Sequence, residues 1–185
     1  MQHLLKTAIP FAAAIILSAC GNNSNPESKT ETTASHDHVA TGQTQTATIG
    51  YPVLKNDKLN AVYQHYIHLT TALTNGDAAE AKIAANAMEA GTKDVAGASG
   101  IAAAAAKITT ASDIEAQRAA YSGMSKDMAA LIKKDGLSSG ELYVAFCPMA
   151  FNDKGAIWIS TSKEIRNPYF GEMMLGCGEV QETIK

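Results

Sequence analysis

Ser112-Asp113-Ile114-Glu115-Ala116-Gln117-Arg118-Ala119-Ala120-Tyr121-Ser122-Gly123-Met124-Ser125-Lys126-Asp127-Met128-Ala129-Ala130-Leu131-Ile132 is the clearest helical stretch of the chain. Ile114, Tyr121, Met124, Met128, Leu131 and Ile132 recur at helical spacing and form one buried stripe. Either Ser112 or Asp113 suits the N-cap, and Glu115 is placed for a capping box from Ser112. Asp135-Gly136 ends the helix.

Working outward, Asn56-Asp57 caps a helix running to about Thr74, with Leu59, Val62, Tyr63, Tyr66, Leu69 and Leu73 on one face. Asn75-Gly76-Asp77 stops that helix and restarts the next, because Gly suits the residue past a helix end and Asp caps a beginning. A helix over 78–90 follows, with Ala81, Ile83, Ala84, Ala87 and Met88 as its apolar face. Residues 91–100 read as a Gly- and Ser-containing break, and 101–108 as a short Ala-rich helix. Four helices joined by short loops predict an antiparallel bundle.

The pattern changes after Gly136. Leu142-Tyr143-Val144-Ala145-Phe146 and Ala156-Ile157-Trp158-Ile159-Ser160-Thr161 are rich in strand formers, and Asn152-Asp153-Lys154-Gly155 between them is turn-forming. They predict a small C-terminal β-hairpin, so the fold class is mainly α (the alternative being α+β). Residues 162–166 and 169–175 read as short helical turns on either side of the Asn167-Pro168 break. Gly176 and Gly178 bracket Cys177, which requires the backbone there to turn tightly or lie close to something.

The first twenty residues are read as an address rather than as fold. A short n-region with Lys6 precedes an apolar run from Ala8 to Leu17, too short to span a membrane, and Leu17-Ser18-Ala19-Cys20 follows. That ending resembles the lipobox of bacterial lipoproteins, which implies a signal peptide over 1–19 and lipidation of Cys20. Several acyl chains, at about 0.8 kcal/mol per buried methylene, provide stable anchoring. Gly21 after the cysteine favours the periplasmic face of the outer membrane. Residues 20–50 are the lipidated N-terminus and a polar linker, too poor in large apolar residues to offset ordering entropy. Residues 51–185 form one domain of ordinary size. A net charge of −3 with no basic stripe argues against nucleic acid as a partner.

Soft sulfur gathers in the last third of the chain: Cys147-Pro148-Met149, and Met173-Met174-Leu175-Gly176-Cys177. Thiolates and thioethers favour monovalent copper or silver over hard ions. Cys147 and Met149 share a face if the backbone stays extended, and Met173 and Met174 align with Cys177 if a helical turn spans them.

A resemblance also bears on these residues. Leu142-Tyr143, Cys147-Pro148-Met149-Ala150, Gly155-Ala156-x-Trp158-x-Ser160, Ile165-Arg166-Asn167-Pro168-Tyr169-Phe170-Gly171 and Met174-Leu175-x-Cys177-Gly178-Glu179-Val180 resemble a bacterial domain family of unassigned function. The helix carrying Gln117-Arg118-Ala119-Ala120-Tyr121 and Ser125 fits its pattern, and the resemblance spans about residues 54–184. That family occurs as stand-alone lipoproteins and as a C-terminal appendage on periplasmic adaptor subunits of copper/silver efflux pumps. Cys-Pro-Met is also similar to the metal-binding segment of such adaptors, but Ala150 stands where that segment has His, which leaves a softer donor set.

Two readings of Cys147 and Cys177 follow. In one they hold monovalent copper or silver with Met149 and Met173 or Met174, and pass it to an efflux adaptor. In the other they form a disulfide in the oxidising periplasm, closing a loop of about thirty residues and contributing roughly 3–4 kcal/mol, and the domain docks on an envelope partner without metal. Residue counts alone favour the disulfide; the copper association of the resembled family shifts the balance to metal.

Other candidates are weaker. His36-Asp37-His38 lies in the linker, His65 and His68 flank an apolar face, and Met124 and Met128 lie on a core face. Trp158 and Tyr169 either shield the sulfur or anchor the hairpin, and Arg118 suits a structural ion pair. No metalloprotease, haem-attachment, nucleophile-elbow, phosphate-loop or dinucleotide pattern occurs, so no enzyme is expected.

Overall fold

A computed structural model describes residues 51–185. The stretches read as a signal peptide and a linker, with Cys20 and the His36-Asp37-His38 tripeptide, lie outside the described residues.

Each of the first two long helices begins at a side-chain cap. The Asn56 side-chain oxygen accepts from the Leu59 N–H at the start of α1 (Asp57–Thr74). Asp77 accepts from the N–H groups of Ala79 and Glu80 at the start of α2 (Ala78–Thr92). The break before α3 (Ser99–Thr110) is shorter than the Gly and Ser content of 91–100 predicts, because both flanking helices extend into it. At α4 (Ile114–Asp135) the cap is Asp113, which accepts from the Ala116 N–H at 2.8 Å. Ser112 instead donates to the Asp113 carboxylate, so the predicted capping box from Ser112 does not form.

Each helix packs mainly on its sequence neighbour. Ala81, Ala84, Ala85, Ala104 and Ala105 are buried where α2 and α3 meet their neighbours, and their small side chains permit close approach. Between α1 and α4 the filling is aromatic: Tyr63, Tyr66 and Tyr121 stack with ring centroids 6.2 and 5.4 Å apart. Met124 and Met128 are fully buried core residues, as their helix face requires.

The C-terminal part goes beyond a hairpin. A short pair joins β1 (Val53–Leu54) to β2 (Leu137–Ser139). The predicted hairpin is present as β3 (Leu142–Cys147) antiparallel to β4 (Ala156–Ser160), with Ala145 opposite Trp158. A further strand, β5 (Glu179–Ile184), pairs with the other side of β3, which makes β3 central in a three-stranded sheet. The sheet packs on α4 through β4. Residues 162–164 form bends and 165–166 are irregular, so the predicted helical turn is absent there.

Tyrosine hydroxyls cover the outer edge of β4. The Tyr66 hydroxyl accepts from the Ile159 N–H at 3.0 Å, contacts Ser125 Oγ at 2.9 Å and receives the Tyr121 hydroxyl at 2.9 Å. The Tyr169 hydroxyl donates to the Ile157 carbonyl. Main-chain groups that an edge strand would leave open are thereby satisfied inside the protein. Burial raises the pKa of Tyr66, and raises that of Tyr121 further, so these hydroxyls stay protonated as donors.

Candidate functional site

Cys147 is the last residue of β3 and is fully buried. Cys177 is half-buried and immediately precedes Gly178 and β5. Pairing of Phe146 with Glu179 brings the approach to β5 alongside the Cys147 end of β3. The Cys177 thiol lies near enough to Cys147 and to the Met149 N–H for both to influence its pKa. Burial pushes the Cys177 thiol above its ordinary pKa. The neighbouring Cys147 sulfur and its potential like charge push the same way, and the Met149 N–H opposes them. Both cysteines are free thiols.

The loop bearing Cys177 is held from below by Asn167, which is fully buried. Its side-chain amide donates to the Cys177 carbonyl at 2.8 Å, and its oxygen accepts from the N–H groups of Tyr169 and Phe170 at 2.7 and 3.3 Å. Its backbone N–H donates to the Leu175 carbonyl, and its carbonyl accepts from Gly171. Asn-Pro reads in a sequence as a chain break; nothing in that dipeptide announces a buried side chain organising ten residues of loop.

Arg118 fixes the same loop to the bundle. Its guanidinium donates to the carbonyls of Pro168 at 2.9 Å and Leu73 at 3.0 Å, and pairs with Glu115 at 2.7 Å. The predicted ion pair is present, and the two carbonyl contacts tie 168–171 to the end of α1. Gly171 belongs to this junction, since a Cβ there would lie 2.9 Å from the Arg118 guanidinium and the Thr74 carbonyl.

Gly178 meets the expectation of close approach. Its φ is +134°, and a Cβ would lie 2.7 Å from the Phe146 carbonyl and 3.0 Å from the Trp158 ring. Gly176 has no such neighbour. Trp158 is buried against this turn and Tyr169 is also buried, so both serve the sulfur loop and the core together.

The methionines are arranged differently from the thiols. β3 ends at Cys147, and Met149 lies in the following turn with φ −82° and ψ −10°, so strand alternation does not extend to its side chain. Residues 171–174 form a 3-10 turn that stops before Cys177, so α-helical alignment of Met173 and Met174 with the thiol does not apply. Met173 is 74% exposed. Met149 and Met174 both line an open cleft of about 520 Å³, with Glu115, Phe151, Asp153, Tyr169 and Phe170. The structure thus brings Cys147 and Cys177 together, and brings Met149 and Met174 together in the adjoining cleft.

Of the histidines, His68 is exposed and contacts Glu80 at 2.7 Å across α1 and α2. Among the described residues, no three His, Cys, Asp or Glu side chains form a metal-holding group. Among the described residues, no helix is long and apolar enough to cross a membrane.

Residues 62–140 match a family model described as "Protein of unknown function (DUF3347)". The DUF3347 match runs from the second turn of α1 to just beyond β2. It therefore covers the helical bundle and ends before Cys147, Asn167 and Cys177. Neither the curated proteins nor the solved structures contain a match to this chain.

Proposed function

We propose that this protein is a membrane-anchored periplasmic binding protein for monovalent copper or silver. The placement of Cys177 beside the Cys147 end of β3, set by the Phe146–Glu179 pairing and the close approach of Gly178 to the Phe146 carbonyl, carries the reading. Two adjoining sulfurs with ionisable protons are a suitable donor pair for a soft monovalent ion, which accepts low coordination and prefers thiolate to oxygen. One sulfur is fully buried and the other half-buried, so a bound ion sits at the edge of the core, shielded from hard competing ligands. Metal uptake releases the thiol protons. The anchoring rests on the Leu17-Ser18-Ala19-Cys20 motif, and the role beside an efflux adaptor rests on the resemblance of the C-terminal motifs.

The same proximity favours a second reading. Two adjoining thiols in an oxidising compartment are placed for a disulfide, and the cleft methionines are then an apolar surface for an envelope partner. Peptide-resolved alkylation of the full chain separates the two. Protection of Cys147 and Cys177 by stoichiometric silver, reversed by a thiol competitor, supports the metal reading. Protection in chain isolated without added metal, reversed only by a reductant, supports the disulfide.

A further inference from the structure

We propose that the cleft lined by Met149 and Met174 is a second, solvent-facing site for a soft monovalent cation, from which the thiol pair is loaded. This rests on the metal reading of Cys147 and Cys177 and adds a route into it.

Three observations converge on the cleft. It is lined by two thioether side chains far apart in sequence, and Met149 is 50% exposed, so its sulfur is accessible to an arriving ion. Three aromatic rings, from Phe151, Tyr169 and Phe170, share the lining. Aromatic faces attract cations without supplying a hard ligand. Asp153 and Glu115 add carboxylates, although Glu115 is engaged by Arg118, so Asp153 is the residue available to steer a positive ion.

Backbone strain adds to these. Phe151, Asn152 and Asp153 have φ of 56°, 56° and 61°, three consecutive non-glycine residues in the left-handed region. Asn152 and Asp153 tolerate this region, whereas at Phe151 it costs of order 1–3 kcal/mol, and strain of this kind concentrates at ligand sites. The left-handed turn lines the cleft, with Phe151 held edge-on to Tyr169 at 5.4 Å between centroids.

Met149 links the two sites. It lines the cleft and sits two residues past Cys147, in the turn that follows the end of β3. Neutral thioethers hold the ion more weakly than thiolates, so transfer inward is downhill. Metal–thioether bonds break, metal–thiolate bonds form, and up to two protons leave the thiols for solvent. No change of oxidation state is involved.

The test uses the full chain with labelled methionine methyl groups and silver in chloride-free buffer, read by NMR. In Cys147→Ser/Cys177→Ser chain, silver shifts the Met149 and Met174 methyl resonances while buried Met88, Met124 and Met128 stay fixed. In Met149→Leu/Met174→Leu chain, silver still protects both thiols from alkylation at equilibrium, but protection develops more slowly than in the parent chain. Unmoved Met149 and Met174 resonances, or an unchanged rate, overturn the cleft site while leaving the thiol reading intact. Methyl shifts with thiols that stay alkylatable in the parent chain contradict the thiol reading and the loading step together.

Discussion

The Asn167 side-chain amide donates to the Cys177 carbonyl at 2.8 Å from a fully buried position. Asn167→Asp keeps an oxygen for the Tyr169 and Phe170 N–H groups but sets an acceptor against the carbonyl. An unsatisfied buried group costs about 1–3 kcal/mol. Urea unfolding of Asn167→Asp is expected to show a loss in that range. Cys177 is expected to react faster with a disulfide reagent as its loop loosens. Unchanged stability and reactivity would remove Asn167 from the site.

Gly178 and Gly176 bracket the same cysteine and give opposite predictions. Gly178→Ala forces a Cβ to within 2.7 Å of the Phe146 carbonyl at a φ of +134°, whereas Gly176→Ala meets nothing within 4 Å. Overpacking costs roughly 1–3 kcal/mol. The first variant is expected to unfold at lower denaturant, and the second to match the parent chain.

The bundle was legible from sequence because its signals are local. Asn56, Asp77 and Asp113 are caps, and Leu59 to Leu73 repeat at helical spacing on one face. β5 was not legible: in Glu179-Val180-Gln181-Glu182-Thr183-Ile184 only Ile184 is buried, so its pairing with β3 is specified by main-chain bonds rather than by an apolar pattern. The thiol pair followed from composition, but the placement of the methionines did not. Strand and helix periodicities apply only inside strands and helices, and Met149 and Cys177 both lie just beyond an element's end. Asn152 and Asp153 are residue types that tolerate the left-handed turn at 151–153, but Phe151 disfavours it and gives no sign of its start.

Tyr66 and Tyr63 are adjacent on α1 and differ in hydrogen bonding. Tyr66→Phe leaves the Ile159 N–H without its acceptor and removes a partner from Ser125. A loss of about 1–3 kcal/mol is expected. The Tyr63 hydroxyl is buried with no hydrogen-bond partner among the described residues, so Tyr63→Phe is expected to be neutral or stabilising. Paired chemical denaturation curves check both signs.

The Cys177 thiol has a pKa raised above its ordinary 9.0. The folded protein therefore holds that proton more tightly than the unfolded chain. The resulting stability is fully present below the unfolded thiol's pKa and is lost as pH rises through the folded value. Cys147→Ala removes two of the raising causes, so Cys177 alkylation at pH 8–9 is expected to quicken. A rate equal to that of the parent chain would mean that the two sulfurs do not interact.

A competitive titration of monovalent copper against a chromogenic chelator tests the proposed function most directly. It compares the full chain with Cys147→Ser and Met149→Leu under reducing conditions. One tightly held copper per chain, a large loss of affinity in Cys147→Ser and a smaller one in Met149→Leu are the expected results. Equal, weak affinity in all three proteins would contradict the copper reading.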